Sequence, residues 1–418
     1  MENNRNWAGN LSYSAAELLT PENKSQLQEM VAQSGSRIKA LGTRHSFNGI
    51  ADSAGTHLSL QKMNRVLELD RENNKVTVEG GIRYGELSEY LHANGYALHN
   101  LASLPHISVA GACATATHGS GDRNGNLATA VSAMTLIKAD GEAVKLTRGQ
   151  PDGSFEGAVV GLGALGVVAD LTLDVVPSFE VSQRLYENLP LAMLERYFEA
   201  IFTSAYSVSL FTDWKRPVFN QVWLKHRTED GIGYDAPLFF GAPLATEKLH
   251  PVPGISAENC SEQLGAPGPW YDRLPHFRLN FMPSAGEELQ SEYFVPRHHA
   301  YDALLAIDSL REHIAPLLYI SEVRSIASDD LWMSPCYGQQ TVAVHFTWKA
   351  DWEGVRQVLP LIEKKLEPFQ AKPHWGKLFT MPADRVRPLY EKLPDFLKLR
   401  EQFDPQGKFR NDLLDAYL

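Results

Sequence analysis

The chain has 418 residues, of which 44% are hydrophobic and 21% are charged, and its formal net charge at pH 7 is −11. This composition is typical of a soluble globular protein, and the length predicts two domains with room for a discontinuous one. Because no run of lysines or arginines breaks the acidic balance, the sequence disfavours nucleic acids and anionic membranes as partners.

Cysteines and histidines give no sign of a metal centre. Cys113, Cys260 and Cys336 lack paired spacing, which predicts neither a disulfide framework nor a zinc site. His298 and His299 are adjacent, and the sequence contains no H-E-x-x-H or C-x-x-C pattern, so we expect no metal. The N-terminal MENNRNWAGN does not resemble a signal peptide, and no apolar stretch reaches membrane-spanning length. A cytoplasmic protein is the simplest interpretation.

The first part of the chain alternates short helices and strands. In chain order the patterns predict a helix over 24–34, a strand over 37–42, a hairpin of 64–70 with 75–79, a helix over 84–93 stopped by Gly95, and a hairpin of 134–138 with 143–147. A doubly wound fold would repeat a strand-helix-strand unit along the chain, whereas this sequence has hairpins at those places. The pattern therefore predicts an α+β fold.

Residues 161–166, GLGALG, match the G-x-G-x-x-G fingerprint of a dinucleotide-binding turn. That fingerprint requires a helix to follow it, because the helix N-terminus holds the pyrophosphate. The next residues, VVADLTLDVV, instead alternate apolar and polar side chains, which predicts a half-buried strand. A Rossmann-type NAD site is thus excluded, although a nucleotide cofactor remains open.

Beyond Pro177, the expected domain boundary, the patterns predict an antiparallel sheet backed by helices. The predicted strands are 181–186, 206–211, 219–225, 291–296, 316–326 and 339–348, and the predicted helices are 190–202, 299–313 and 353–366. Residues 227–285 are rich in glycine and proline, which predicts loops.

The segment 103–121, SLPHISVAGACATATHGSG, consists almost entirely of small residues after Ser108. Small side chains allow backbone N–H groups to approach a ligand closely, as a diphosphate requires. The alternative is a loop that merely packs tightly. Since so few large side chains make a poor core, the composition favours a ligand.

His45 lies in the turn LGTRHSFNG, residues 41–49, directly after the predicted strand. A lone histidine is more often structural than functional, and the residues of the turn leave its role open.

Two predicted strands of the second part place polar side chains on one face. Glu322 and Arg324 lie two residues apart, as do His345 and Thr347, so each pair leaves its strand on the same side. The alternative is a solvated sheet face. If buried, the charged pair must be matched, and such a floor suits a hydroxyl-rich substrate. In KPHWGKLF, Lys377 follows His374, and a surface lysine is the default interpretation there.

Taken in chain order, the segments GTRHSFN, SLPHISVAG, ATHGSG, LGALGVV, EVR, HFTW and HWGK closely resemble the alditol (xylitol) oxidases. These enzymes belong to the vanillyl-alcohol-oxidase-type flavoproteins, and the similarity runs from NWAGN to DPQGKFRN, nearly the whole chain. HWGK is also similar to the HWxK of sugar-lactone oxidases, a close branch.

The resemblance implies a fold and its division. We expect an FAD-binding domain of two α+β subdomains over 1–177 and a substrate-binding domain over 178–376, with an antiparallel sheet backed by helices. The C-terminal segment 377–418 would return to the FAD-binding domain. A monomer is expected.

The resemblance also implies site residues. His45 would carry FAD covalently through the flavin 8α-methyl carbon. The other expected cofactor contacts are Ala40, Leu41, Gly42, Thr43, Arg44, Ser46, Ser103, Ser108, Gly111, Ala114, Thr115, Ala116, Thr117, Val168 and His374. Arg44 departs from the family, in which a small residue usually precedes the histidine.

The polyol would be held by Ser103, Glu322, Arg324, Thr347 and Lys377. The implied reaction oxidises the terminal primary alcohol of a polyol such as xylitol or sorbitol to the aldose, with hydride transfer to flavin and reoxidation by O2 to H2O2. Cationic Arg324 and Lys377 would favour alkoxide character. Glu322 would pair with Arg324 and accept a substrate hydroxyl, with Thr347 and Ser103 fixing the chain.

His345 is a candidate proton acceptor in this reaction. Two enzyme alternatives remain, a sugar-lactone oxidase and a dehydrogenase that passes electrons to an acceptor other than O2. A flavin-binding or sugar-binding protein without catalysis is a third. The two cations argue against that last alternative, since a carrier would hardly need both.

Overall fold

The structure is a computed structural model, and it describes residues 4–231, 236–279, 281 and 288–418. Over these ranges the strands are β1 (Glu17–Leu19), β2 (Ile38–Leu41), β3 (Thr56–Ser59), β4 (Val66–Asp70), β5 (Lys75–Glu79), β6 (Tyr96–Ala97), β7 (Val131–Ile137), β8 (Ala143–Thr147), β9 (Val167–Asp174), β10 (Val176–Pro177), β11 (Glu180–Pro190), β12 (Ser207–Thr212), β13 (Val218–Arg227), β14 (Leu238–Phe239), β15 (Ala242–Pro243), β16 (Gly268–Pro269), β17 (Glu288–Pro296), β18 (Leu318–Ile326), β19 (Thr341–Lys349) and β20 (Lys372–Pro373).

The α-helices over the same ranges are α1 (Lys24–Gln33), α2 (Tyr84–Ala93), α3 (Val109–Ala114), α4 (Ser154–Val159), α5 (Met193–Phe202), α6 (Trp270–Arg273), α7 (Ala300–Asp308), α8 (Arg311–Ile314), α9 (Trp352–Leu366), α10 (Ala383–Val386), α11 (Leu393–Phe403) and α12 (Asp412–Tyr417). None of these helices is both long and apolar enough to cross a membrane.

Two sheets form the first part of the chain. Sheet A joins β1, β3 and β2 in parallel, and sheet B has the antiparallel order β4-β5-β9-β7-β8. Helix α1 presents Leu27 and Val31, which are fully buried together with Ile38 and Leu58 of sheet A and Val167 of sheet B. Because each element is apolar on the side facing the others, the three pack into a separate small core.

The turn 161–166 leads into a strand, as its sequence predicts. Along β9 buried and half-buried residues alternate over the full length, with Leu171 and Leu173 inside and Asp170 and Thr172 toward the surface. The hairpins, the helix over 84–93 and the α+β class are likewise confirmed.

Sheet C is the large antiparallel sheet of the second part, with the order β16-β11-β13-β12-β18-β19-β17-β20. On β19, Val344, Phe346 and Trp348 are buried in the same apolar cluster as Val355 and Leu359 of α9. Helices α5, α7 and α9 pack beside one another. Since the apolar residues of each strand are used in this contact, the alternate positions of β17, β18 and β19 point the other way.

Three expected elements differ from the structure. The helix predicted over 299–313 is divided into α7 and α8, because Ser309 Oγ donates to the carbonyl of Ala306 and Leu310 takes a non-helical backbone conformation. The predicted loop 103–121 contains α3. Within the predicted loops 227–285 lie β14, β15, β16 and α6, while residues 232–235, 280 and 282–285 of that range fall outside the described residues.

The C-terminal residues contact sheet A and its neighbourhood. Lys408 Nζ donates to the carbonyls of Val31 (2.8 Å) and Ala139 (2.7 Å), and the Asn411 amide donates to those of Gly49 and Ile50 (3.0 Å each). The chain therefore returns to its first part after sheet C is complete.

Candidate active site

The loop after β2 holds His45 in a fixed orientation. Its Nδ1 lies 2.9 Å from the carbonyl oxygen of Thr43, and its ring stacks on Trp7 with centroids 5.0 Å apart. Arg44 adopts the left-handed backbone conformation (φ 64°), and its carbonyl accepts from Trp7 N at 2.8 Å. A glycine would take this conformation without strain, so a small residue here is physically reasonable, but the loop also forms with arginine.

The His45 ring leaves one nitrogen unused. Nδ1 carries the proton, because a carbonyl can only accept, and Nε2 is buried with no hydrogen-bond partner among the residues that the structure describes. Burial lowers the pKa of His45 to about 4, so the ring is neutral at pH 7. A neutral ring with an unpartnered lone pair is available to a ligand.

A cavity of about 910 Å³ lies between the His45 loop, α3 and sheet C. The expected cofactor positions that line it are Ala40, Leu41, Gly42, Thr43, Arg44, His45, Ser46, Ser103, Ser108, Gly111, Ala114, Thr115, Thr117, Val168 and His374. Ala116 differs from these, because it is buried in the main apolar core and is not among the lining residues.

The cavity wall fits an extended dinucleotide such as FAD. A Cβ atom added at Gly42 would lie 2.6 Å from Ser108 Oγ, and one added at Gly111 would lie 2.8 Å from the same atom, so both positions leave room only for glycine beside the Ser108 hydroxyl. A wall of glycines and other small residues lets a diphosphate approach peptide groups closely. Together with the unpartnered nitrogen of His45, this wall fits the cofactor.

Sheet C supplies the opposite wall. Its register aligns Glu292 of β17 with His345 of β19, and His345 with Glu322 of β18. Directly paired residues share a face, so the three side chains form a row. Arg324 and Thr347 extend this polar face by one position to either side, and all five residues line the cavity.

Glu292 lies at the centre of the polar face and is 1% exposed. Its Oε1 accepts from Arg324 Nη2 (3.0 Å) and contacts His118 Nε2 (3.1 Å). Its Oε2 accepts from Lys377 Nζ at 2.7 Å and lies 3.7 Å from His345 Nδ1. Burial opposes the charge of this carboxylate, but Lys377, His118 and Arg324 together hold its pKa well below the ordinary value.

Lys377 is a largely enclosed part of the wall, with 14% of its side chain exposed, and not the surface lysine that is the default for its sequence. Its Nζ lies 2.7 Å from His345 Nδ1, and His345 Nε2 lies 3.1 Å from Thr347 Oγ1. The pKa of His345 is lowered to about 4, mainly by burial and secondly by the positive charge of Lys377. An ammonium can only donate, so Nδ1 accepts and the proton sits on Nε2, which donates to Thr347.

Glu322 has a closer partner than the expected one. Its Oε1 accepts from His276 Nε2 at 2.7 Å, whereas its Oε2 lies 3.6 Å from Arg324 Nε. His276 Nδ1 in turn lies 3.3 Å from Lys225 Nζ. Despite burial, Arg324 and His276 keep the pKa of Glu322 far below its usual range. The carboxylate stays ionised, and the Arg324 guanidinium makes a shorter contact with Glu292, at 3.0 Å, than with Glu322.

Two further expected residues join this wall. Ser103 Oγ lies 3.4 Å from Arg324 Nη1, and His374 accepts at Nδ1 from the backbone N–H of Gly376 at 3.0 Å. The structure thus brings Ser103, Glu322, Arg324, Thr347, Lys377 and His345 to one side of the cavity that His45 also lines.

Sequence reasoning missed Glu292, His118 and His276. One signal existed for Glu292, because it is a charged residue inside the predicted strand 291–296. For His276, in a segment without regular periodicity, we find no comparable signal.

Comparison with known proteins places the chain. Residues 15–147 match the family model described as an FAD binding domain, and residues 282–417 match that of D-arabinono-1,4-lactone oxidase. An alditol oxidase from a Streptomyces sp. is 50% identical over 417 residues, covering 98% of this chain and 99% of the relative. An L-gulono-1,4-lactone dehydrogenase from Mycobacterium tuberculosis is 28% identical and covers 97% of each chain.

Solved structures share the fold at low sequence identity. A carbohydrate oxidase from Microdochium nivale superposes with a TM-score of 0.76 at 14% identity, covering 99% of this chain and 94% of that one. Cholesterol oxidase from B. sterolicum gives 0.78 at 12% identity, with coverage of 99% and 96%. The protein is an oxidoreductase with FAD as its cofactor. With half of its residues shared over nearly the full length of both chains, it belongs to the alditol oxidase family of vanillyl-alcohol-oxidase-type flavoproteins.

Proposed function

We propose that the protein oxidises the terminal primary alcohol of polyols such as xylitol and sorbitol to the corresponding aldoses, with O2 as the final acceptor. The observation that carries this proposal is the wall of sheet C, where Arg324, Lys377 and Thr347 line the same cavity as His45. A cavity wall of cations and hydroxyls suits a ligand rich in hydroxyl groups. The relationship to an alditol oxidase supports the same substrate class.

The chain's own residues would bind and deprotonate the alcohol. Arg324 and Lys377 stabilise negative charge on the reacting oxygen, because buried cations act in a site of low dielectric constant. Ser103 and Thr347 hold the remaining hydroxyls, and ionised Glu322 accepts from one of them. Bound FAD would supply the hydride acceptor for the alcohol carbon, and its reoxidation by O2, which takes up two electrons and two protons, would give H2O2.

The hydroxyl proton needs an acceptor near Lys377. His345 is neutral at pH 7, and its Nδ1 already accepts from Lys377 Nζ at 2.7 Å. We propose that the hydroxyl proton moves to Lys377 Nζ as Nζ passes one of its own protons to His345 Nδ1, so that Lys377 stays an ammonium and His345 becomes an imidazolium. Glu322 contributes through its charge rather than as a base, because its pKa lies too low.

We further propose that FAD is bound covalently through its 8α-methyl carbon to His45. The neutral ring and its unpartnered buried nitrogen support this role, since an imidazole must present a lone pair to form the bond. The proposed domain division keeps its boundaries at 177 and 376, with 377–418 returning to the FAD-binding domain. A cytoplasmic, monomeric protein remains part of the proposal, and the mass in solution tests the monomer.

A sugar-lactone oxidase is the second candidate, because residues 282–417 match the D-arabinono-1,4-lactone oxidase model. The purified protein distinguishes the two when peroxide production is measured with xylitol, with sorbitol and with an aldonolactone. We expect peroxide with both polyols at a far higher kcat/KM than with the lactone. The opposite ranking would replace the polyol assignment. Turnover with an artificial acceptor but not with O2 would indicate a dehydrogenase.

The covalent bond is tested separately by denaturing the holoenzyme in acid. Flavin fluorescence should remain with the precipitated protein and should be lost from the precipitate in His45→Ala. Free flavin in the supernatant of the unaltered protein would contradict attachment.

A further inference from the structure

We propose that Glu292 is a positioning residue of this site, whose two carboxylate oxygens hold the cationic heads of Arg324 and Lys377 side by side at the cavity wall. The proposal rests on the proposed function, because it concerns the groups that would stabilise the substrate oxygen. It adds a residue that neither the sequence patterns nor the expected polyol contacts include.

Each carboxylate oxygen of Glu292 accepts a hydrogen bond from a different cation. Oε1 accepts from Arg324 Nη2 at 3.0 Å, and Oε2 accepts from Lys377 Nζ at 2.7 Å. Lys377 Nζ donates a second N–H to His345 Nδ1. An ammonium has three N–H groups, so one remains for the substrate, and its direction is set by the other two. Moving the Glu292 carboxylate would therefore turn the remaining donor away.

Charge gives Glu292 a second effect. Burial lowers the pKa of Lys377, and Glu292 is the principal group that raises it again, while Arg324 lowers it further. The other titratable groups around this pair are His118, His345, His374 and Glu322, each on a different segment. Burial lowers the pKa of all three histidines and so disfavours a positive charge on them. The charges around Lys377 are then those of Arg324, Glu292 and Glu322.

Glutamine cannot replace this carboxylate. Its amide offers one accepting oxygen, and its NH2 group would face either Lys377 Nζ or Arg324 Nη2, so that two donors meet. With the NH2 group toward Lys377, the clash disappears only when the amine gives up a proton and accepts instead, and in either orientation the negative charge that raised the pKa of Lys377 is gone. In Glu292→Gln we therefore expect the pKa of Lys377 to fall by about one unit or more.

The first measurement is the pH profile of polyol turnover by the holoenzyme. Activity that needs protonated Lys377 is present below its pKa and lost as pH rises through it, so the basic limb of kcat/KM should move to lower pH in Glu292→Gln. At the pH optimum of the unaltered protein, kcat/KM should fall at least about tenfold with flavin content unchanged.

Two variants separate positioning from general damage. Glu292→Asp keeps the charge but shortens the side chain, so kcat/KM should fall while the basic limb stays near its original pH. Glu363→Gln removes another buried carboxylate, which accepts from Tyr293 Oη at 2.9 Å and from Thr380 N. That control should lower thermal stability without moving the pH profile. Full activity in Glu292→Asp with an unmoved limb in Glu292→Gln would overturn the proposal.

A second readout does not depend on turnover. Trace labelling with acetic anhydride, quantified at Lys377 by mass spectrometry against exposed Lys364, reports the fraction of unprotonated amine at each pH. The titration of Lys377 should shift downward in Glu292→Gln and not in Glu363→Gln. An unchanged titration would overturn the inference whatever the activity. A shifted titration in a protein that oxidises no polyol would instead contradict the proposed function.

Discussion

Lys377 connects two groups with different requirements, since Glu292 needs a buried counter-charge and His345 Nδ1 needs a donor. Lys377→Ala removes both contacts. Because a single donor aimed at a developing oxyanion is worth about 10²–10³ in kcat, we expect turnover of a polyol to fall by that factor. The absorbance ratio of flavin to protein should stay unchanged, as His45 is untouched.

The matched control for this substitution is Lys364→Ala, an exposed lysine at the end of α9. Its turnover should equal that of the unaltered protein. If Lys377→Ala also retained near-normal turnover under air-saturated, substrate-saturated conditions, Lys377 would have no part in the chemistry.

At the residue scale, local periodicity predicted which side chains share a face. The two-residue repeat of a strand places Glu322 beside Arg324 and His345 beside Thr347, because it depends only on neighbours in sequence. The hydrogen-bond partners of these residues cannot be predicted in this way. Glu292 is 32 residues from Arg324 along the chain and meets it only because β17 and β18 both pair with β19. That register depends on long-range packing, which the repeat alone does not determine.

The connection between β18 and β19 is an element with its own anchor, a half-buried carboxylate. Asp329 Oδ2 accepts from Asn126 Nδ2 and Ser334 Oγ, both at 2.6 Å, and its Oδ1 accepts from the backbone N–H of Leu331 at 3.0 Å. Burial nevertheless raises the pKa of Asp329 to about 6. The folded protein thus binds this proton more tightly than the unfolded chain does.

A pH dependence of stability follows from this raised pKa. Its contribution to the free energy of unfolding is fully present below the unfolded pKa of about 3.9 and is lost as pH rises through about 6. Asp329→Asn cannot ionise. Between pH 4.5 and 7, the unaltered protein should therefore lose about 1–2 kcal/mol relative to Asp329→Asn, a range discounted for partial exposure.

Urea unfolding at several pH values measures this difference, and Glu89→Gln, at an exposed position on α2, is its control. A constant difference between the unaltered protein and Asp329→Asn across the range would show that Asp329 titrates normally.

Elements with a strong period were predictable almost to their ends, including α1, α2, β9 and β19. The elements that were not predicted have local causes that do not show in the periodicity. The small residues 109–114 form helix α3, because Val109, Ala112 and Cys113 find a core to pack against. Their composition alone had favoured a ligand loop. In fact the segment serves both purposes, since Gly111 and Ala114 line the cavity.

At the scale of the whole molecule, the chain closes on itself through a few buried polar side chains. Lys39 Nζ donates to the carbonyls of Gly163 (2.9 Å) and Phe409 (3.2 Å), which links β2, the turn before β9 and the C-terminal residues. Asn411 donates to carbonyls of the segment 49–52, next to the cavity-lining residues Ile50 and Ala51. The resemblance predicted this return of the chain, but the residues that hold it were not identifiable without the fold.

Asn411 makes this closure testable. Its Nδ2 donates to the carbonyls of Gly49, Ile50 and Asp52 within 3.0 Å, and its Oδ1 caps α12 by accepting from Leu414 N at 2.9 Å. Asn411→Ala removes these contacts; the Gly49 carbonyl keeps its bond from Asp52 N, but the carbonyls of Ile50 and Asp52 and the N–H of Leu414 lose theirs, which costs about 2–4 kcal/mol. Because the cost falls on one segment, local opening of residues 404–418 should become easier before the whole protein unfolds.

Limited proteolysis followed by mass spectrometry measures that opening. We expect cleavage within 404–418 to accelerate roughly tenfold or more in Asn411→Ala, with cleavage elsewhere unchanged at early times. Asn73→Ala is the control, since its exposed amide donates to Asp70 on the surface and its loss should leave the cleavage rate as it was. An equal rate in both variants would mean that apolar packing of α11 and α12 holds the segment by itself. In that case the polar contacts of Asn411 would orient the loop beside the cavity without stabilising it.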